Sequence, residues 1–153
     1  MKNPQDTEAL GASLAAARPP VLEQPATLYL TGALGAGKTT LVRGFARACG
    51  VTSAVRSPTY TLVNVHEVGA LTLVHIDLYR LRDPAELEHL GLREWGGPGC
   101  LWLIEWPERA LGRLPAADLT VSLTAGPGAH EADVSAETSV GIGWLERAFS
   151  RSS

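Results

Sequence analysis

Apolar residues recur along this chain at helical and at strand spacing in turn. Over Asp6–Ala17 they fall three and four residues apart, which predicts a helix, and the following Pro-Pro pair ends it. A short β-prone run, Thr27–Thr31, comes next. The segment Lys38–Cys49 again has helical periodicity, and Gly50 is placed to end that helix. The first third of the chain is therefore predicted to run helix, strand, helix.

Strands dominate the predicted second half. Cys100–Glu105 is almost wholly apolar, as expected for a strand buried at the centre of a sheet. A short helix is expected to begin at Asp83 and Pro84, which suit its N-cap and its first position. The other predicted elements are hairpin strands Leu62–Glu67 and Leu71–Asp77, late strands Asp118–Thr124 and Glu131–Ala136, and a closing helix, Thr138–Phe149. This alternation predicts one α/β domain over residues 1–153, with a mainly parallel central sheet and helices on both faces.

The most specific motif lies between the first strand and the second helix. Residues 32–39 read Gly-Ala-Leu-Gly-Ala-Gly-Lys-Thr, which fits the G-x-x-x-x-G-K-[ST] phosphate loop at every fixed position. The glycines let backbone N–H groups point at phosphates, the Lys38 ammonium can reach the β- and γ-phosphates, and the Thr39 hydroxyl can bind magnesium. The chain has eleven arginines and only one other lysine, so a lysine at this position stands out. A strand, loop and helix in this order predict a nucleotide-phosphate site.

Two carboxylates are candidates for the rest of that site. Asp77 and Glu105 each close an apolar strand, and the carboxyl ends of parallel strands line the ligand crevice beside a phosphate loop. Both are therefore predicted near a magnesium ion. His75 is expected to point away from Asp77 and to be structural. The segment Ser57–Thr61 is either a nucleotide-sensing loop with reactive hydroxyls or a simple turn before a strand, and the residues alone do not decide.

Composition narrows the class of protein. The net charge of −3 and the pI of about 5.8 indicate no basic face that would bind nucleic acid alone. No apolar run approaches the ~18 residues that span a membrane, and residues 1–7 lack the apolar core of a signal peptide. Cys49 and Cys100 have no metal-binding spacing and are expected to be buried thiols. A cytoplasmic protein is the expectation.

Four sequence blocks together resemble the TsaE (YjeE) family of small bacterial ATPases. They are Gly-Ala-Gly-Lys-Thr-Thr-Leu-Val-Arg-Gly-Phe at 35–45, Ser-Pro-Thr-Tyr-Thr-Leu-Val at 57–63, His-Ile-Asp-Leu-Tyr-Arg-Leu at 75–81 and Ile-Glu-Trp-Pro-Glu at 104–108. The resemblance implies an ATPase that works with the TsaB and TsaD proteins. Together they make N6-threonylcarbamoyladenosine beside the anticodon of ANN-decoding tRNAs. It also implies that tRNA is reached only through that complex.

The resemblance assigns roles to individual residues. Lys38, Asp77, Glu105 and Thr59 would be catalytic, with Thr59 in a switch-like loop. Magnesium would be bound by Thr39 and Glu105, with Asp77 as the Walker-B-type acid. ATP would be bound by Thr7, Gly32, Leu34, Gly35, Ala36, Gly37, Lys38, Thr39, Thr40 and Trp106. One departure is Ala33, where family members usually carry Asp or Glu.

Two alternatives stay open at the level of sequence. A small-molecule kinase would need an arginine-bearing lid, for which Arg80, Arg82 and Arg93 are candidates. A nucleotide-dependent assembly factor would use hydrolysis only to reset a complex. No arginine finger can be assigned, although Arg56, Arg80 or a partner residue could serve.

Overall fold

The fold is built around a six-stranded sheet in the part of the chain that the structure describes. That structure is a computed structural model describing residues 3–20, 22–55, 62–127 and 129–149, with the backbone alone at 89 and 93. The strand order is β2-β3-β4-β1-β5-β6. The strands are β1 (Ala26–Thr31), β2 (Val63–Val68), β3 (Leu71–Asp77), β4 (Cys100–Glu105), β5 (Leu119–Gly126) and β6 (Ala129–Ala136).

The four inner strands are parallel, and the two edge strands are antiparallel to their neighbours. The predicted mainly parallel α/β sheet is therefore confirmed. The early hairpin is also confirmed, as β2 and β3. The two late strands pair with each other as a second hairpin, and each is longer than predicted.

Helices cover both faces, as predicted, but they differ in kind. The α-helices of the described residues are α1 (Pro4–Ala16), α2 (Lys38–Cys49) and α3 (Ser139–Phe149), and their buried side chains share one core cluster. The opposite cluster is covered by short 3₁₀ helices, Pro84–Leu90, Leu92–Trp95 and Pro107–Ala110. None of the described helices is both long and apolar enough to cross a membrane.

Strand β4 separates these two cores. Its side chains alternate, with Leu101 and Leu103 in the α-helical cluster and Trp102 and Ile104 in the other. All of its residues are buried, as the apolar run predicted. Glu105 ends this strand, so its carboxylate is carried on the most deeply buried element of the sheet.

Helix α1 begins earlier than predicted. Asn3 caps it by accepting a hydrogen bond from the Asp6 N–H at 2.9 Å, and Pro4 occupies the first turn. The apolar periodicity starts only later, which is why the pattern placed the start at Asp6. The Asp83 cap was predicted correctly, since its Oδ1 accepts from the Ala85 N–H at 3.0 Å.

Helices α1 and α2 pack with their backbones in close approach. A methyl group on Gly44 would press on the carbonyl group of Glu8, and one on Gly11 would lie 2.8 Å from the Phe45 nitrogen. Two glycines thus let the helices meet without side chains between them. The contact brings Thr7, on α1, against the phosphate loop that leads into α2.

Helix α3 is tied to α1 by hydrogen bonds across the sequence. The Trp144 indole N–H donates to the Leu14 carbonyl at 2.8 Å, and Arg147 Nε donates to the Ala17 carbonyl at 2.9 Å. The Trp144 ring also meets Phe45 edge-on, with 6.4 Å between centroids. The closing helix therefore completes the core that supports α2.

Candidate active site

The phosphate loop connects β1 to α2, in the predicted strand, loop and helix order. Its Gly32 has φ of 141°, and a side chain there would collide with the Leu123 carbonyl oxygen of β5. Gly37 has φ of 106° and precedes the first residue of α2, Lys38. Both glycines hold backbone conformations that other residues rarely adopt. The loop consequently curls over the N-terminus of α2, which favours anions.

Lys38 is held inside this loop. Its Nζ donates to the Gly32 carbonyl at 2.5 Å and to the Ala33 carbonyl at 2.9 Å, and the residue is only 5% exposed. Burial lowers the pKa of the Lys38 ammonium, while three nearby carboxylates, led by that of Glu105, oppose that shift. The ammonium also lies 4.2 Å from the centre of the Trp106 ring. The Lys38 ammonium is therefore held in place by the loop carbonyls and has little contact with water. Both properties suit it to bind an anionic ligand.

Thr39 and Glu105 come together across the loop. The Thr39 hydroxyl lies 3.1 Å and 3.2 Å from the two carboxylate oxygens of Glu105, which is 2% exposed. Asp77 pairs with Glu105 in the register of β3 and β4, so both carboxylates leave the sheet at the same edge. Asp77 Oδ1 accepts the Tyr79 N–H at 3.0 Å. Both predicted strand-end acids therefore lie at the edge of the sheet that carries the phosphate loop, and Glu105 contacts that loop through Thr39.

The oxygen donors at this edge fit magnesium. Mg²⁺ prefers oxygen ligands and usually takes one or two from the protein, with the rest from water and phosphates. Among the described residues there is no group of three or more His, Cys, Asp or Glu side chains that could hold a metal ion. A threonine hydroxyl and one carboxylate beside a phosphate loop match the way magnesium is usually bound, with one or two ligands from the protein and the rest from water and phosphates.

A cavity of about 420 Å³ opens over these groups. Of the predicted site residues, those that line it are Leu34, Gly35, Gly37, Lys38, Thr39, Thr40, Asp77, Glu105 and Trp106. Leu62, Tyr79 and Arg80 also line it. The sequence offered Arg80 only as a possible lid or finger residue, and did not single out the other two.

Three of the predicted nucleotide contacts, Thr7, Gly32 and Ala36, are not among the residues that line the cavity. Gly32 and Ala36 belong to the loop itself, and Ala36 is fully buried. Thr7 is 3% exposed, and its methyl carbon would lie 3.4 Å from a side chain on Gly37. Thr7 therefore packs behind the loop. The prediction for Thr59, with Ser57–Thr61 as a whole and Arg56, lies outside the described residues and stays a prediction.

Aromatic side chains form one wall of the cavity. Trp106 has φ of 60°, an unusual value for a residue other than glycine, and its ring packs against Tyr79 at a tilt of 44°, with 5.0 Å between centroids. The guanidinium of Arg109 lies 5.7 Å and 5.8 Å from these two rings. The backbone turn at Trp106 therefore directs an indole ring beside the Lys38 ammonium.

Two histidines contribute contacts that the sequence analysis missed. His75 is fully buried, and its Nε2 lies 2.6 Å from Glu105 Oε2. The expectation that it points away from Asp77 is wrong, because residues two apart in a strand share a face. His130, on β6, lies with Nδ1 3.0 Å from the Ala36 carbonyl oxygen and so braces the loop. Correct strand parity would have found His75, whereas no local pattern indicates His130.

Comparisons with known proteins agree with this geometry. Residues 1–132 match the family model "Threonylcarbamoyl adenosine biosynthesis protein TsaE". The tRNA threonylcarbamoyladenosine biosynthesis protein TsaE of Haemophilus influenzae is 43% identical over 119 residues, which cover 78% of this chain and 75% of that protein. The Bacillus subtilis protein of the same name is 40% identical over 119 residues, covering 78% and 72%. The crystal structure of Bacillus subtilis YdiB superposes with a TM-score of 0.74 at 32% identity, over 97% of this chain and 90% of that one.

Proposed function

This chain belongs to the TsaE family of threonylcarbamoyl adenosine biosynthesis proteins, and we propose that it serves there as a magnesium-dependent ATPase. The observation that carries the proposal is the meeting of Lys38, Thr39 and Glu105 at one edge of the sheet, around a single cavity. A lysine, a hydroxyl and a carboxylate beside a phosphate loop are the groups that bind a nucleoside triphosphate with its metal.

Lys38 is proposed to neutralise the β- and γ-phosphates. Its ammonium now donates to two carbonyls of the loop, and a phosphate oxygen is a stronger acceptor than either. Partial burial strengthens the interaction between Lys38 and a phosphate, because an ammonium with little water around it interacts more strongly with an anion. The N–H groups of the loop and the start of α2 would bind the same phosphates.

Thr39 and Glu105 would hold Mg²⁺, with Asp77 close by. Bound there, the ion would neutralise charge that develops on the phosphate oxygens during transfer to water. The 3.1 Å contact between Thr39 and Glu105 keeps both ligand groups in place. Asp77 is held by the backbone N–H of Tyr79, so its carboxylate is oriented toward the same cavity.

Trp106 is proposed to be a nucleotide contact that also shields the phosphates. Its ring flanks the Lys38 ammonium and also packs against the Tyr79 ring. An indole in this place excludes water from the region where phosphate charge is neutralised, which strengthens the electrostatic interactions there.

We also propose that this ATPase works with TsaD and TsaB, as the family's role in threonylcarbamoyladenosine synthesis suggests. The net charge of −3 argues that tRNA is reached through those partners rather than bound directly. Slow turnover by the isolated protein is expected, because no arginine finger is assigned and the sequence of Ser57–Thr61 contains no glutamine that could position the attacking water. Partner residues that act in trans can accelerate phosphoryl transfer by orders of magnitude.

The test is phosphate release measured with the protein alone, with the TsaB–TsaD complex and with small-molecule acceptors. We expect slow magnesium-dependent hydrolysis that the complex accelerates, with Glu105→Gln as the inactive control. Transfer to an acceptor in place of hydrolysis would favour a kinase. Nucleotide-dependent docking with unchanged hydrolysis would favour an assembly factor.

A further inference from the structure

A buried histidine lies directly behind the proposed metal ligand. The Nε2 atom of His75 is 2.6 Å from Glu105 Oε2, and the two side chains are 0% and 3% exposed. His75 sits on β3 opposite Leu103 of β4, so its ring reaches diagonally toward Glu105, two residues farther along β4. It is not among the residues that line the cavity. Its influence on the site therefore passes through the Glu105 carboxylate.

The hydrogen on this imidazole can be placed from the contacts. An ionised carboxylate only accepts hydrogen bonds, so Nε2 must carry the proton that is shared with Glu105. The other ring nitrogen, Nδ1, is buried with no hydrogen-bond partner in the described residues. A proton on Nδ1 would be an unmet buried donor, which is costly. The tautomer with its hydrogen on Nε2 leaves Nδ1 as an unmet acceptor rather than an unmet donor.

We propose that His75 is a positioning residue that fixes the rotation of the Glu105 carboxylate and presents it, beside the Thr39 hydroxyl, as a preformed ligand for a divalent cation. The identity of the cation as Mg²⁺ bound with ATP rests on the proposed function. The Thr39 hydroxyl lies almost equally far from both carboxylate oxygens, at 3.1 Å and 3.2 Å, so it does not choose between them. The 2.6 Å contact from His75 does distinguish the two carboxylate oxygens, because it is made to Oε2.

Loss of this contact has a defined consequence for metal binding. A carboxylate that loses its donor is free to rotate toward another partner, and a rotated carboxylate presents its oxygens less well to a cation. Groups that orient metal ligands typically contribute about 10- to 100-fold to metal affinity. The nucleotide's affinity without metal should change much less, because His75 does not line the cavity.

The experiment compares His75→Leu with His75→Gln, whose amide can still donate to Glu105. The control is His66→Leu on the neighbouring strand β2. His66 also has a buried ring nitrogen without a partner, and it is paired in register with Leu73 rather than with a site residue. Each protein is saturated with a fluorescent ATP analogue, and Mg²⁺ is titrated after EDTA treatment. Melting temperature is recorded in EDTA.

We expect His75→Leu to need about 10- to 100-fold more Mg²⁺ for half-saturation, with His75→Gln closer to wild type and His66→Leu unchanged. An unchanged Mg²⁺ requirement in His75→Leu, whether or not its melting temperature falls, would overturn the proposal. Nitrogen-15 NMR of the wild-type histidines gives a second test that needs no variant to fold. A His75 ring without a hydrogen on Nε2 would overturn the proposal, and a ring with a hydrogen on Nε2 supports it. If the wild type binds no ATP analogue at any Mg²⁺ concentration, the ATPase assignment fails, while the NMR result still decides whether His75 orients Glu105.

Discussion

Replacing Gly44 with alanine tests the close packing of α1 and α2. Alanine is favoured over glycine inside a helix by about 1 kcal/mol, so helix propensity alone predicts that the substitution stabilises the protein. The structure predicts the opposite sign. The added methyl carbon would lie 2.6 Å from both the carbonyl carbon and the Cα of Glu8.

The size of the effect follows from that overlap. Nonbonded carbon atoms pack at about 3.5–4.0 Å, so the two backbones would have to separate by roughly 1 Å. The obstructing atoms are backbone rather than the end of a flexible side chain, so the helices must move as units. Overpacking of this kind costs about 1–3 kcal/mol or more, which exceeds the propensity gain. We expect a net loss of about 1–2 kcal/mol and a fall in melting temperature of roughly 2–8 °C.

Gly143→Ala in α3 is the matched control. There the added carbon would meet Nη1 of Arg147 at 3.1 Å, and a side-chain terminus can move aside. The control should therefore match or exceed the wild type in thermal unfolding followed by circular dichroism. ATP binding should weaken only in Gly44→Ala, since α1 also places Thr7 behind the phosphate loop. Equal stabilisation by both substitutions would refute the argument from close packing.

Four further outcomes are expected. Lys38→Ala should weaken ATP binding by about 10- to 150-fold in calorimetry, because a bond to a charged group contributes about 1.5–3 kcal/mol, and wild-type affinity would exclude it from the phosphate site. Glu105→Gln should abolish most magnesium-dependent phosphate release but shift the melting temperature by only a few degrees, because an amide can keep hydrogen bonds to both neighbours; normal turnover would make Glu105 a structural residue. His130→Ala should weaken ATP binding about 2- to 10-fold through the lost contact with the Ala36 carbonyl, and equal affinity would show that the loop needs no such brace. Burial, with His75 nearby, lowers the pKa of His66 below its ordinary 6.5. The unfolded state therefore takes up a proton at a higher pH than the folded state does, so stability should fall as the pH drops below about 6.5. In acid unfolding, His66→Asn should reduce this dependence of stability on pH.

The sequence predicted the elements that local chemistry determines. The phosphate loop is identifiable because its glycines and Lys38 are contiguous, and Glu105 because an apolar strand leads into it. The start of α1 was misplaced because its cap, Asn3, lies before the apolar repeat begins. The segment 84–95 forms 3₁₀ rather than α-helical turns, and that distinction has little signature in the spacing of apolar residues.

Contacts between distant segments were beyond local reasoning. His130 is separated from Ala36 by 94 positions, and nothing near either residue specifies that they meet. The location of Thr7 behind the loop depends on how α1 packs on α2. Two glycines permit that packing, but their presence in the sequence does not predict it. His75 is a different case, because its position is predictable from the sequence. Residues two apart in a strand share a face, so His75 points to the same side of the sheet as Asp77.

The order of strands in the sheet determines when, during synthesis, the proposed nucleotide site can form. Strand β1 is synthesised first among the strands but lies at the centre, and both of its neighbours, β4 and β5, come from the later part of the chain. At about 5–20 residues per second, the 74 positions from Thr31, at the end of β1, to Glu105, at the end of β4, take roughly 4–15 s to synthesise. During that interval both edges of β1 lack their final partners, and unpaired edges invite association with other chains. The proposed ATP site cannot stabilise the nascent chain during that interval, because Glu105 and Trp106 lie beside the phosphate loop only after β4 has joined the sheet.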